Sequence, residues 1–364
     1  MPFDVSEHLK TLITLHAPSG FEMPVAQALR EAWTPYADSL TISPLGALTA
    51  LRRGTQTETA ETPRRRVLIT AHMDEIGMLV RKVRDGFLQV VSLGGIDPST
   101  LPGSSVLVHG RQTLPAVIGA PPSWALPIDA RKRFPTLDEL YIDTGLPAAD
   151  VAALVRIGDL VTLEQTPFSL GENLLSGKAM DDRACLAAIT VMLDHLSRRL
   201  HEWDVLAVAA VQEEVGANAM VVETAHLKPD IGIALDVTFA TQPGVIGEGA
   251  FKLGAGVPIS LGANFHPALY EAIREAAKRL EMELPVDPLP MHSGTDAWDV
   301  QVAGEGVPTA LLNLPIRNMH TAIETVHLTD VTRLGRLLAE FVCGLTPEFM
   351  ATIVWEKAKE ENPS

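Results

Sequence analysis

The sequence predicts an α/β protein interrupted by a β-rich insert, on three observations. Apolar runs at 207–211 and 231–235 are short and continuous, the pattern of strands covered on both faces. Helical spacing accompanies them: apolar residues at 186, 189, 193 and 196 share one helical face, and the segments 268–280 and 331–345 keep the same period. From about 77 to 163 the texture changes to brief Val/Leu-rich runs broken by Gly and Pro, which suits a small barrel or sandwich rather than alternating α/β.

Taken in order, 5–15 is an amphipathic helix stopped by Ala17-Pro18-Ser19-Gly20, and 23–33 is a second helix. Strands are expected at 40–52 and 66–71, separated by the polar stretch GTQTETAETPRR, an exposed loop. Within the insert, 141–144 adds a strand and 150–155 a short helix. The α/β texture resumes at Gly177, with a helix over 184–200. LGAGVP near Gly254 lacks the dinucleotide fingerprint and is taken as a turn. Cys185 and Cys343 lie in apolar helical patterns and are expected in the core, without a disulfide framework.

A chain of 364 residues exceeds the size at which one core usually divides, so a larger domain (1–76 and 164–364) and a smaller inserted one (77–163) are expected. The excess of 45 acidic over 29 basic residues, a net −16, argues against nucleic acid or anionic membrane as partner and is compatible with bound cations. The N-terminus lacks a basic stretch followed by an apolar one, and no run approaches the roughly 18 apolar residues of a membrane span. Neither export nor insertion is indicated, and the cytoplasm is the default expectation.

The stretch 208–236 organises the chemistry. One apolar strand ends in Glu213-Glu214 and another in Asp236, and in open α/β sheets ligands gather outside the carboxyl ends of strands. Taken singly, each acid could be no more than a solvated strand end. His72 and Asp74 follow the strand at 66–71, a spacing that suits a metal-ligating imidazole and its orienting carboxylate. Asp181 and Asp182 precede a helix, where simple capping is the plain alternative. His320 lies past the apolar run ALLNLP and could be an ordinary loop histidine. Together, two histidines and four or five acids match a dinuclear divalent-metal site. Such a site needs one bridging carboxylate, one histidine and one acid for each metal, and one acid left as a base. His195, His201, His226 and His266 have no acid in a comparable setting and are expected on surfaces or helices, and His109 and His327 receive no role. His292 could border a cleft, with sequence order as its only support.

AHMDEIG, GKAMDDRA, QEEVG, ALDVT, GTDA and PIRNMHT, in that order, resemble the metallo-aminopeptidases of the glutamyl-aminopeptidase and tetrahedral-aminopeptidase family. The resemblance runs from SGFE at Ser19 to HLTD at Asp330. It implies a zinc-peptidase-like α/β/α sandwich with an inserted PDZ-like β-barrel that supports dimerisation. It also implies two divalent ions per subunit, with zinc as the first expectation and cobalt or manganese as alternatives. Asp181 would bridge them, His72 and Asp236 would complete one site, and Glu214 and His320 the other. Glu213 would move the proton and Asp74 would orient His72. Dimers assembling into a tetrahedral dodecamer are a further implication. The chain departs from the family's usual pattern at Asn318 and Thr321, and in lacking a histidine after Pro121-Pro122.

The expected function is removal of N-terminal residues from peptides. The alternatives are a related deacylase or dipeptidase and a metal-stabilised assembly without turnover. Two further expectations concern geometry: that Glu213 and Glu214 alternate on an extended segment, and that the insert lies away from the ligands and serves as a contact surface.

Overall fold

The computed structural model describes residues 3–58, 63–216 and 218–355. Residues 59–62 of the expected polar loop lie outside this range. Four parallel strands, Asp204–Ala210, Arg66–His72, Ile231–Phe239 and Thr309–Arg317, form the centre of an eleven-stranded sheet. They are buried along most of their length, which is why they read as apolar runs rather than as alternation. Antiparallel strands continue the sheet at both sides: Leu48–Arg52 and Ser39–Ile42 at one, Glu324–His327, Leu174–Gly177 and Phe168–Leu170 at the other. Ile259–Gly262 and Val286–Leu289 attach beside Thr309–Arg317.

Helices cover both faces of this sheet. Ile231, Ile233 and Leu235 join the main core with the helix Met180–Leu196, whereas Ala234, one position out of phase, packs with Ala297 of the helix Asp296–Val302. Met180–Leu196 is buried nearly all round, between the sheet and the helix Leu328–Cys343. That contact depends on Gly335, where a Cβ would meet the carbonyl oxygen of Ala188 at 2.5 Å and Val191 Cβ at 2.6 Å. The sandwich and its barrel are the fold class that the sequence predicts.

The barrel is closed by six strands, Gly77–Arg84, Phe87–Leu93, Tyr141–Asp143, Thr113–Gly119, Ser105–His109 and Leu160–Leu163. Along Thr113–Gly119, Leu114, Ala116 and Ile118 point inward and alternate with exposed neighbours, the period of a strand covered on one side. Its first strand leaves the sandwich five residues after His72, so the base of the barrel adjoins the sheet's carboxyl edge. Thr162 of the barrel pairs there with His16 at 2.8 Å.

Several elements differ from expectation. The segment 40–52 is a hairpin rather than one strand, because Pro44 and Gly46 (φ +103°) turn the chain. The long helix runs Met180–Leu196, starting and ending four residues early. Glu213 and Glu214 are not extended: Gln212 takes a left-handed conformation (φ +62°) that folds Glu213–Val215 into a 3-10 turn. Asp236 does not end its strand, which continues to Phe239 because Thr309–Arg317 pairs with it that far. His201 and His266 are buried rather than superficial. The first bonds the Trp203 carbonyl, and the second caps the helix Pro267–Arg279. Cys343 is only partly buried.

Candidate metal centre

Five elements deliver the chemical groups to one place. His72 is the last residue of its strand, and Asp181 opens the helix Met180–Leu196 with non-helical backbone angles. Glu213 and Glu214 occupy the turn after Asp204–Ala210, Asp236 comes from Ile231–Phe239 on the other side of the His72 strand, and His320 from the loop after Thr309–Arg317. Asp181 does not act as a helix cap. Its two oxygens instead face the two histidines, Oδ1 at 3.0 Å from His72 Nε2 and Oδ2 at 3.3 Å from His320 Nε2.

Donor atoms of His72, Asp181 and Asp236 all lie within 4.8 Å of one another, and so do those of Asp181, Glu214 and His320. Asp181 is common to both groups. Tetrahedral zinc, with ligand bonds of about 2.0 Å, separates neighbouring donors by about 3.3 Å. The separations of 3.0 and 3.3 Å above, and 3.5 Å from His320 Nε2 to Glu214 Oε1, fit that shell. Both imidazoles also hold their second nitrogen against an acceptor, His72 Nδ1 at 3.1 Å from the Asp74 carbonyl and His320 Nδ1 at 2.7 Å from the Gly95 carbonyl. That arrangement fixes Nε2 as the face turned to an ion. The residues present fit two divalent cations.

Electrostatics agree with the geometry. Burial pushes Glu213 up to about 7, reinforced by repulsion from Asp181 and Asp74. Burial, with nearby carboxylates, also raises Glu214 and Asp236 well above the usual range. Burial alone would depress His72, but its bonds to Asp181 and Asp74 hold it well above an ordinary histidine, and the bond to Asp181 lifts His320 to about 9. Carboxylates raised by burial and by one another are a setting in which added positive charge is favourable.

Asp74 does more than flank His72. Its carboxylate, itself buried, lies 3.4 Å from His72 Nδ1, accepts Ser19 Oγ at 2.6 Å, and accepts the backbone amides of Glu213 at 3.2 Å and Glu214 at 3.1 Å. Glu213 carries its carboxylate to 4.0 Å from His72 Nε2, outside both donor groups, with Glu214 turned toward His320. His292 is exposed and lines a smaller cavity that also contains Glu213.

Four further residues have no signal in the donor pattern. Glu324, buried, accepts the amides of His320 at 2.7 Å and Asp181 at 3.1 Å and so ties the His320 loop to the start of the helix Met180–Leu196; burial, then repulsion from Asp181, raises it to about 8. Glu75, within AHMDEIG, pairs with Lys178 at 2.7 Å and Arg183 at 3.2 Å, all three buried. Arg183 also donates to the carbonyls of Leu12, Leu15 and Met73, fastening the first helix beneath the site. Apart from the bond between Glu324 and His320, four positions apart, these contacts join residues more than 100 positions apart, and spacing along a chain does not reveal them.

The family model for M42 glutamyl aminopeptidase matches residues 53–337. A lysyl aminopeptidase of Pyrococcus furiosus is 32% identical over 348 residues, covering 94% of this chain and 97% of that protein. The structure of an aminopeptidase from Desulfurococcus kamchatkensis superposes with a TM-score of 0.87 at 32% identity, over 96% of this chain and 97% of that one. The TET1 peptidase of Pyrococcus horikoshii, which can assemble into a tetrahedron or a large octahedral shell, superposes at 0.81 with 26% identity, over 94% and 100% of the two chains. Fold, donor set and relatives define the class, a metal-dependent aminopeptidase. The chain belongs to the M42 glutamyl aminopeptidase family.

Proposed function

We infer that the chain removes N-terminal residues from peptides with two divalent ions per subunit, zinc foremost and cobalt or manganese as alternatives, and with Glu213 as general base and acid. The observation that carries this reading is the pair of donor groups sharing Asp181, with Glu213 beside them and outside both. His72 and Asp236 would hold one ion, Glu214 and His320 the other, and Asp181 both. Bound there, the ions would supply Lewis-acid polarisation of the scissile carbonyl and acidify water.

The chain's own residues do the rest. Glu213 accepts a proton from the attacking water and returns it to the leaving amine. Asp74 anchors the backbone of both glutamates and, with its carbonyl and carboxylate beside His72 Nδ1, keeps that ring in one orientation. The carboxylates also attract the charged amino terminus that distinguishes an N-terminal residue from an internal one.

The division into a catalytic domain (1–76 and 164–364) and a dimerisation domain (77–163) belongs to the same reading, as does a closed homo-oligomer of the kind described for the P. horikoshii TET1 peptidase. No helix among the described residues is long and apolar enough to cross a membrane; a cytoplasmic location is part of the same proposal. Digestion of a peptide library by protein loaded with zinc, cobalt or manganese in turn tests the reaction. Stepwise loss of N-terminal residues from free but not acetylated peptides is expected, and internal cleavage would overturn it.

A further inference from the structure

A cavity of about 720 Å³ opens from the donor cluster, bounded by Asp181, Glu213, Glu214, Asp236 and His320 at one end. Its other end is lined from the strands Thr309–Arg317 and Val286–Leu289, which Ile259–Gly262 joins. Register places Asp236 beside Asn313, and Ser260 beside Asp287, so one row of polar residues runs from the cluster across neighbouring strands. Three strand spacings of about 4.8 Å separate the ends of that row. Asn313 and Ser260 satisfy each other with a 2.8 Å hydrogen bond. Asp287 is different: it is only 6% exposed and lines the cavity. Burial alone raises its carboxyl above the usual range, with no hydrogen bond or charge among the described residues to offset it.

The Asp287 carboxylate faces the cavity, so a ligand that fills this space without offering it a partner would strand an unpaired acid, which is costly. Leu289, Leu311 and Val237 give the same cavity apolar walls, and Glu248 adds an exposed carboxylate. Among the described residues no lysine or arginine lines it. An acidic side chain would enter this space without a counter-charge. An aliphatic one would cover the walls and leave Asp287 desolvated and unpaired. A long side chain with an apolar stem and a cationic tip satisfies both parts of the lining.

We propose that this cavity receives the side chain of the peptide's first residue and selects lysine or arginine there, with Asp287 as the specificity-determining residue. The proposal rests on the aminopeptidase reading and names its substrate class. The methylene stem lies along Leu289 and Leu311, and the ammonium or guanidinium group meets the Asp287 carboxylate as a charge-assisted pair.

The test is a panel of lysyl, arginyl, leucyl and glutamyl p-nitroanilides with the metal-loaded full-length protein, in wild type, Asp287→Asn and Asp287→Lys. The kcat/KM for lysyl and arginyl substrates should exceed that for leucyl by about ten- to a hundredfold, the usual worth of a hydrogen bond to a charged group. Asp287→Asn should erase that ratio, and Asp287→Lys should move preference toward glutamyl. Should the variants fail to fold, wild-type inhibition decides: lysinamide should inhibit at concentrations at least tenfold lower than norleucinamide, which has the stem without the charge. A wild-type preference for leucyl or glutamyl substrates, a basic preference that survives Asp287→Asn, or equal inhibition by the two amides would overturn the proposal while leaving aminopeptidase activity intact. Hydrolysis of no substrate in the panel would overturn the aminopeptidase reading as well.

Discussion

Gly95 accepts a hydrogen bond from Nδ1 of His320 at 2.7 Å, across 225 positions of sequence. The insert therefore reaches the donor cluster, contrary to the expectation that it stands away from the ligands. The strand Phe87–Leu93 ends immediately before this contact, so the barrel's own pairing sets the position of the carbonyl. A Cβ at Gly95 would lie 2.9 Å from the same nitrogen. Gly95→Ala is expected to tilt the imidazole and lower metal affinity or turnover by about ten- to a hundredfold, the usual effect of disturbing a ligand's outer partner. Competition against a chromogenic chelator measures it; unaltered affinity and turnover would mean that the carbonyl does not orient His320.

The two glutamates should fail differently. In the turn Glu213–Val215, Glu213 approaches His72 and Glu214 approaches His320. Glu213→Gln is expected to keep its metal while turnover falls by about a hundred- to ten-thousandfold, the range of general acid–base catalysis. Glu214→Gln replaces an anionic donor with a neutral one, so affinity should drop and excess metal should rescue part of the activity. Calorimetric metal titration beside steady-state kinetics separates the outcomes, and metal loss confined to Glu213→Gln would exchange the two roles.

Beneath the site, Glu75 balances two buried cations. Burial would raise its carboxyl, but the charges of Lys178 and Arg183 override burial and hold it below the ordinary value of 4.5. A folded-state pKa below the unfolded one gives stability that is present above the unfolded value and lost as pH falls through the folded one. Glu75→Gln leaves both cations uncompensated and is expected to cost about 3–5 kcal/mol. It should also flatten the decline in stability at acid pH. Urea unfolding across that range tests both, and a cost under about 1 kcal/mol would show that the triad contributes little.

Between the barrel strands Thr113–Gly119 and Tyr141–Asp143, Trp124 and Phe134 are each 77% exposed. Large aromatic groups left in water are a natural contact between subunits. The double substitution Trp124→Glu, Phe134→Glu is expected to reduce the assembly seen by light scattering. It is a sharper test of the barrel's role than deleting 77–163, which would also remove Gly95 from His320. An unchanged subunit count would place the contact elsewhere.

Much of this was legible in the sequence because it is local. Apolar runs marked the buried strands, and the texture between 77 and 163 marked the barrel. His72, Asp181, Glu213, Glu214, Asp236 and His320 each stand in a short motif at or near the end of an element. What escaped is decided by contacts across the fold. Asp236 sits inside its strand because a partner strand pairs past it, and Glu213 leaves the extended path because Gln212 turns left-handed. Glu324, Gly95 and Asp287 matter through neighbours that only the folded chain supplies.

The central claim is that one carboxylate, Asp181, serves two ions at once. Chelated protein should be inactive, and titration with divalent metal should restore aminopeptidase activity as two equivalents bind per chain, counted by elemental analysis of the active protein. Asp181→Asn should lose both equivalents together. Full activity with one equivalent or none, or an Asp181→Asn protein that keeps two, would contradict the account.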